Sequence, residues 1–343
     1  PSGIWIHING TKLTSLRQMA DGYGRYKNVL KFLTRVVEEG PPLPPMAFYV
    51  SVTDTPCNPH LPYLTFFLKR GMKQLVIPDD TFHGVNWETM RTNLQEASSK
   101  IPYESRINDL FFRGSPTHGT RQNISVTLKA CCPRFGNVTL AVMEKFKHLQ
   151  VPLKEHAMHK HVLAIRGRTA SSRDKYLNLL NSTIVRAEEY EPWFQFYHVL
   201  WKPWHNYVPL TTDTLPCIVK MLQDPANEEK LKRIAARGAE VGKYLTQQKV
   251  DDLMRKILLR YAAMQQYTVD EDPIYFLKRF GHFVKKRYKN AQVMPDDRAP
   301  VKFMFSRWIS RRIKQMLSCR YNGTYVENST QKLAYNSPYK CWY

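Results

Sequence analysis

His-Lys-His-Val-Leu-Ala-Ile-Arg-Gly-Arg-Thr-Ala-Ser-Ser-Arg-Asp-Lys-Tyr-Leu, residues 159–177, is the most informative segment of the chain. An apolar strand at 162–165 runs into a turn of Arg, Gly, Ser and Thr, and a helical segment follows. In an α/β protein this order can hold a phosphate, because backbone N–H groups at a helix start and two or three cations converge on one anion. It also fits an ordinary strand-to-helix connection with solvated arginines, and the stretch alone leaves both readings open. Further on, Trp-Lys-Pro-Trp-His-Asn-Tyr-Val-Pro-Leu-Thr-Thr-Asp, residues 201–213, is an aromatic segment that ends in another strand.

Outward from there, β-like runs at 47–52, 110–112, 183–185 and 206–210 alternate with helical patterns. The helical patterns lie at 16–37, from Asp224-Pro225 onward, and at 250–267, and a proline run at 41–45 separates the first from its strand. Asp224-Pro225 with Glu228 and Glu229 behind it is a helix start that complements the dipole. Alternating β and α units predict parallel sheets with helices on their faces, and ligands at the carboxyl ends of strands. Three regions follow: 1–150, 151–270, and a basic, aromatic extension at 271–343 with a helix at 303–316 that packs back on the domains.

The charge balance, 51 Lys and Arg against 29 Asp and Glu for a net +22, calls for an anionic partner. Nucleic acid, anionic lipid, acidic glycan and nucleotide-sugar phosphates all qualify. The positive residues are spread, densest over 278–320, and a basic C-terminal helix does not by itself identify nucleic acid. A polyanion-binding or sugar-binding protein without catalysis is the competing class. No run approaches the roughly 18 apolar residues of a membrane span. Pro1 in place of Met leaves room for an upstream targeting segment or membrane anchor. The six cysteines show no CxxC spacing, so they do not suggest zinc. Six Asn-x-Ser/Thr sequons, at Asn9, Asn123, Asn137, Asn181, Asn322 and Asn328, favour the secretory pathway, with Asn181 expected to be buried.

Several residues can carry chemistry. Asp54 follows a strand in Thr53-Asp54-Thr55-Pro56, placed either to face a cleft or to cap a turn. Phe112-Arg113-Gly114-Ser115 with Arg121 follows another strand, as a phosphate-pairing group or as a solvated loop. His156, His159 and His161 invite a metal reading, but no Asp or Cys nearby completes a ligand set. Trp193, Trp201 and Trp204 with Tyr190, Phe194, Phe196 and Tyr197 form either a sugar-stacking surface or core. The common hydrolase, Walker, zincin and dinucleotide motifs do not occur.

In this order, Asp54-Thr55-Pro56, Phe112-Arg113-Gly114-Ser115 with Arg121, Arg166-Gly167 through Arg173 with Lys175-Tyr176-Leu177, and Lys202-Pro203-Trp204 through Asp213 resemble glycosyltransferase family 90. That family includes Rumi-type protein O-glucosyltransferases and fungal capsule xylosyltransferases, and the likeness extends to Ile234-Ala235-Ala236-Arg237-Gly238. The resemblance implies a GT-B architecture: an N-terminal Rossmann-like domain at 1–150, a C-terminal Rossmann-like nucleotide-sugar domain at 151–270, and the extension packing across both. It implies inverting transfer of xylose or glucose from a UDP-sugar to a hydroxyl of a glycan or glycoprotein, in the endoplasmic reticulum or Golgi lumen. No cofactor, metal or nucleic acid is implied, and a membrane only through an upstream anchor. By position, Asp54 matches the catalytic base. Leu110, Ser115 and Arg121 match donor contacts, and Arg168, Thr169, Ala170, Ser171, Ser172 and Arg173 match the loop on the donor phosphates. Two departures stand out. The Rumi-type insertion is missing between residues 76–82 and Asn86, and no cysteine lies between Cys132 and Cys217. Both favour a glycan or other hydroxyl acceptor over a folded disulfide-rich domain.

Overall fold

The structure is a computed structural model, and it describes residues 3–18, 24–54, 63–82, 85–141, 149–188, 192–265 and 269. The expected extension at 271–343, including its helix, lies outside these residues. They divide into two units: the chain up to Trp87 together with its return from Gln247, and Glu88–Thr246 between them.

The first unit opens with a hairpin. Strand β1 (Gly3–Gly10) pairs antiparallel with β2 (Lys12–Gln18), Asn9 opposite Lys12 across the loop Gly10-Thr11. Gly10 sits at φ 63°, the left-handed conformation that a tight hairpin loop needs and only glycine adopts at little cost. Helix α1 (Arg25–Glu38) buries Val29, Phe32, Leu33, Val36 and Val37, a stripe at helical spacing. β3 (Leu43–Ser51) follows, then the two-residue strands β4 (Leu64–Thr65), β5 (Leu68–Lys69) and β6 (Leu75–Val76). The sheet order is β2-β1-β3-β4-β6, antiparallel from β2 to β3 and parallel from β3 to β6. The sheet is therefore mixed rather than parallel. The helical pattern expected from residue 16 begins only at Arg25, because Leu16–Gln18 complete the hairpin. The proline run separates helix from strand only in its first half, Pro41 and Pro42 lying between Glu38 and Leu43. Pro44 and Pro45 lie exposed within β3, whose pairing with β4 is at Val50, beyond the prolines, where their missing N–H groups cost little.

Helix α2 (Val85–Ser99) carries the chain onward. In the second unit β7 (Ile107–Gly114), α3 (Gly119–Cys131), β8 (Gly136–Leu140) and β9 (His159–Ala164) come first. They are followed by α4 (Asp174–Leu177), β10 (Thr183–Ala187), β11 (Trp193–Phe194), β12 (Val208–Leu210), α5 (Leu215–Gln223) and α6 (Glu228–Tyr244). Five strands form a wholly parallel sheet, β12-β10-β9-β7-β8. Numbered by chain order, that is 2-1-3-4-5, a doubly wound sheet whose connections reverse between β7 and β9. Leu110, Phe112, Leu163, Val185 and Val208 pack with apolar residues of α3, α5 and α6. The division at Trp87 thus comes well before residue 150, because β7 is a central strand of this second sheet.

Helix α7 (Gln247–Met264) buries Val250, Met254 and Leu258 and rejoins the first unit. Arg35 clasps Asp251 with Nε to Oδ2 at 3.0 Å and Nη2 to Oδ1 at 2.8 Å, and Ala47 N–H donates to Gln265 Oε1 at 3.2 Å.

Helix α6 lies close against the second unit's loops: a Cβ at Gly242 would stand 2.7 Å from the Asn178 carbonyl oxygen. Alanine normally improves a helix over glycine by about 1 kcal/mol, but here backbone is in the way. Gly242→Ala is expected to destabilise the protein by ~1–3 kcal/mol in urea unfolding. Gly119→Ala, with open space around its Cβ, should not.

Candidate functional site

The carboxyl ends of β7 and β9 flank the reversal point, and nearly all the expected donor residues lie in the loops that follow them. Gly114 ends β7 with the Phe112 ring folded over it, so that a Cβ there would meet ring carbons at 2.7 and 2.8 Å. Ser115 to Thr117 then turn into α3, where His118 Nδ1 accepts from Thr120 N–H at 3.3 Å. After β9, Gly167 lets the second loop come close, its Cβ position 3.2 Å from Thr117 Oγ1.

Arg121 joins the two loops. Its Nη1 donates to the Ser115 carbonyl at 2.7 Å, Nε to that of Arg166 at 2.8 Å, and Nη2 to that of Ile165 at 3.1 Å. It is only 8% exposed and its guanidinium lies over Phe112, 5.3 Å from the ring centroid. Burial first, and then the Arg173 charge, pull its pKa down to about 10, still fully charged at neutral pH. Arg121, read from sequence as a phosphate partner, thus spends three N–H groups on the backbone.

Arg173 brings a second cation to the same ring, 5.2 Å from the Phe112 centroid, with Nη1 donating to the Arg113 carbonyl at 2.5 Å. Burial lowers its pKa as well, and Asp174 is the charge that opposes the shift. Asp174 is buried, with Oδ2 3.4 Å from His198 Nε2. Burial pushes the His198 pKa down. In the loop itself Thr169 and Ala170 are buried, Ser171 is half-buried, and Arg168 and Ser172 are exposed. The helix expected after the loop is a single turn, Asp174–Leu177, with Arg173 at its N-cap position. Leu110 has no exposed surface to offer a ligand, since its side chain is enclosed in the core.

The three histidines form no ligand set, although His156 and His159 both pack on the Phe111 ring. His159 Nδ1 pairs with Asp109 Oδ1 at 2.6 Å, and His161 Nε2 faces Asn108 Oδ1 at 3.2 Å. His156 meets the Phe111 ring edge-on. Burial, then Arg173, push His156 to a pKa of about 3, and burial, then Lys160, do the same to His161. Among the described residues no three His, Cys, Asp or Glu side chains are grouped to hold a metal ion. The aromatic cluster is largely core: Trp193, Tyr197 and Trp201 are buried, and the Arg186 guanidinium covers the Trp201 ring at 5.1 Å. Tyr190 lies outside the described residues.

In the first unit Asp54 follows β3, as expected. Its side chain is 40% exposed, and its Oδ1 accepts from Arg25 Nη1 at 2.6 Å. Sequence reasoning passed over Arg25, whose one visible signal is a cation at the first position of a helix.

The model of glycosyl transferase family 90 matches residues 28–276. Protein O-glucosyltransferase 1 of Rattus norvegicus is 24% identical over 282 residues, covering 74% of this chain and 70% of that one. Its Homo sapiens counterpart is 24% identical over 275 residues, 71% and 68% of the two chains. O-glucosyltransferase rumi of Drosophila melanogaster is 26% identical over 207 residues, 56% and 49%.

Two outcomes are expected of this geometry. Arg121→Gln should lower unfolding stability by at least about 2 kcal/mol, since charged hydrogen bonds to buried carbonyls are lost. Arg168→Ala, on an exposed side chain, should stay within ~0.5 kcal/mol. Because the folded pKa of His161 lies far below the ordinary value near 6.5, its neutral burial stabilises the fold above that pH. The contribution is lost as pH falls toward about 3. The urea midpoint should therefore fall between neutrality and mild acid, and His161→Gln should flatten that slope. An equal slope in the variant would contradict the assignment.

Proposed function

Because the chain belongs to glycosyl transferase family 90, we propose that it transfers glucose or xylose from a UDP-sugar to a hydroxyl of a glycoprotein or glycan, with inversion and without a metal ion. The observation that carries this reading is the pair of guanidiniums, Arg121 and Arg173, that both lie against the Phe112 ring at the β7–β9 reversal point. Two partly desolvated cations with a single buried carboxylate beside them favour a multiply charged anion such as a diphosphate.

In this reading the two units are the Rossmann-like halves of a GT-B enzyme, with the donor on the second and the base on the first. The acceptor oxygen attacks the anomeric carbon from the face opposite the diphosphate. As the new C–O bond forms, the bond from the anomeric carbon to the β-phosphate oxygen breaks, and its electron pair leaves with UDP. Asp54 takes the hydroxyl proton. Arg173, Arg168 and the Ser171 and Ser172 hydroxyls meet the charge that grows on the departing diphosphate. The carbonyl bonds of Arg121 hold the two loops in register, and its charge adds to theirs.

The relatives named as glucosyltransferases favour glucose as donor. One hydroxymethyl group separates it from xylose, a difference worth on the order of 1–3 kcal/mol in a pocket, so mixed donor use is expected. The six sequons support the secretory pathway, in the lumen of the endoplasmic reticulum or Golgi. Among the described residues no helix is long and apolar enough to cross a membrane.

A UDP-release assay over a panel of UDP-sugars, with and without EDTA, tests the whole reading. Asp54→Asn should keep UDP affinity and lose transfer by roughly 100-fold or more. Arg173→Ala should weaken UDP binding itself, and EDTA should leave the rate unchanged. Undiminished transfer by Asp54→Asn, or loss of activity in EDTA, would overturn the mechanism.

A further inference from the structure

The start of α1 breaks a local rule. A helix N-terminus carries positive dipole charge and favours acidic side chains, yet the first turn of α1 has no acidic residue and begins with Arg25. Gly24 before it, at φ 67°, supplies no side-chain cap.

Its partners lie at the carboxyl edge of the parallel strands. Arg25 Nη1 donates to Asp54 Oδ1 at 2.6 Å and to the Val52 carbonyl at 3.3 Å, both just past the end of β3. Its Nε is 4.0 Å from Oδ1 of Asp80, which follows β6. One guanidinium thus grips the backbone and the side chain of the same turn, and faces a carboxylate from a second strand. The Arg25 and Asp54 side chains are 29% and 40% exposed, a setting in which an ion pair adds little to stability. What the arrangement fixes is geometry, because a carboxylate held at one oxygen and tied to its own backbone cannot swing freely.

We infer that Arg25 is a positioning residue for the transfer step: by binding Oδ1 it aims Oδ2 of Asp54 at the acceptor hydroxyl. The inference rests on Asp54 being the base. Arg25 itself takes no proton and touches no reacting atom. Because a misplacement of about 1 Å in a reacting group can cost on the order of 100-fold, the effect belongs in kcat.

The test uses the full chain with Arg25→Ala, Arg25→Lys, Asp54→Asn and the Arg25→Ala/Asp54→Asn double variant. Transfer kinetics, UDP affinity by calorimetry and Tm are measured for each. Arg25→Ala should lose roughly 10- to 100-fold in kcat, with KM for the donor, UDP affinity and Tm unchanged. Arg25→Lys should recover part of that loss, and millimolar guanidinium should recover part of it in Arg25→Ala but none in the double variant. The double variant should be no slower than Asp54→Asn. An unchanged kcat in Arg25→Ala, or a loss that follows Tm and resists guanidinium, would overturn the positioning role. If Asp54→Asn is inactive in the same series, the base assignment survives that result. If Asp54→Asn transfers normally, the base assignment fails and takes this inference with it.

Discussion

Just past the ends of β7 and β9 the carbonyls of Ser115, Ile165 and Arg166 lie in loops, and Arg121 supplies their donors. Three of its N–H groups go to three carbonyls, two on one loop and one on the other. Hydrogen bonds from a charged donor contribute about 1.5–3 kcal/mol each, enough to offset the desolvation of one guanidinium. The geometry has further requirements. Phe112 must fold back under the guanidinium, which only a glycine at 114 allows, and the second loop must come close, which Gly167 permits. The short sequence Phe112-Arg113-Gly114-Ser115 and the distant Arg121 and Gly167 are thus parts of one constraint.

That constraint has an electrostatic consequence. With Arg121 fixed beneath the loops and Arg173 on the same ring, two like charges share a partly desolvated space, and Asp174 stands as the opposing charge. The histidines around them do not add to the charge. Burial lowers the pKa of both His156 and His198, and the Arg173 charge further disfavours protonating His156. The positive potential therefore comes from guanidiniums, which stay protonated over the physiological range. An anion bound to a loop charged this way would be held with nearly constant affinity across neutral pH, which a histidine-based site could not offer.

The second sheet was largely legible in the sequence, because its strands are short apolar runs bounded by turn residues. β9, β10, β12 and the helix after Asp224 appear within a few residues of their expected places. The first sheet was legible only in β3, as the run at 47–52. Its opening hairpin is signalled by Asn9-Gly10, a strong turn pair, but the same residues also spell a sequon, and the helical period of α1 was extended backward over β2. The early division between units was hidden because β7 belongs to a sheet whose other strands follow much later in the chain. Asp54 after β3 and Arg173 in the loop after β9 lie where the sequence puts them, each within its own unit, but which atoms Arg121 binds is not legible there. Whether an arginine meets carbonyls or phosphate depends on burial, and sequence does not carry burial at a loop. The sequon at Asn137 has a similar limit: its side chain is taken up by Asp109 and Arg113.

Helix α6 follows the local charge rules closely. It places Glu228 and Glu229 in its first turn and Lys243 in its last, as its dipole favours, and Asp224 caps the turn before it by accepting from Ala226 N–H at 3.0 Å. Against that background two departures in charge placement stand out among the described residues: an arginine opening α1, and two arginines crowded on one phenylalanine. A sequence that is consistent at every level tends to depart from consistency where something other than folding sets the requirement. Neither exception is explained by packing. Arg25 sits on a half-exposed carboxylate whose pairing adds little stability, and Arg173 adds charge beside a cation already buried. Both make chemical sense once a carboxylate must be aimed and an anion must be held.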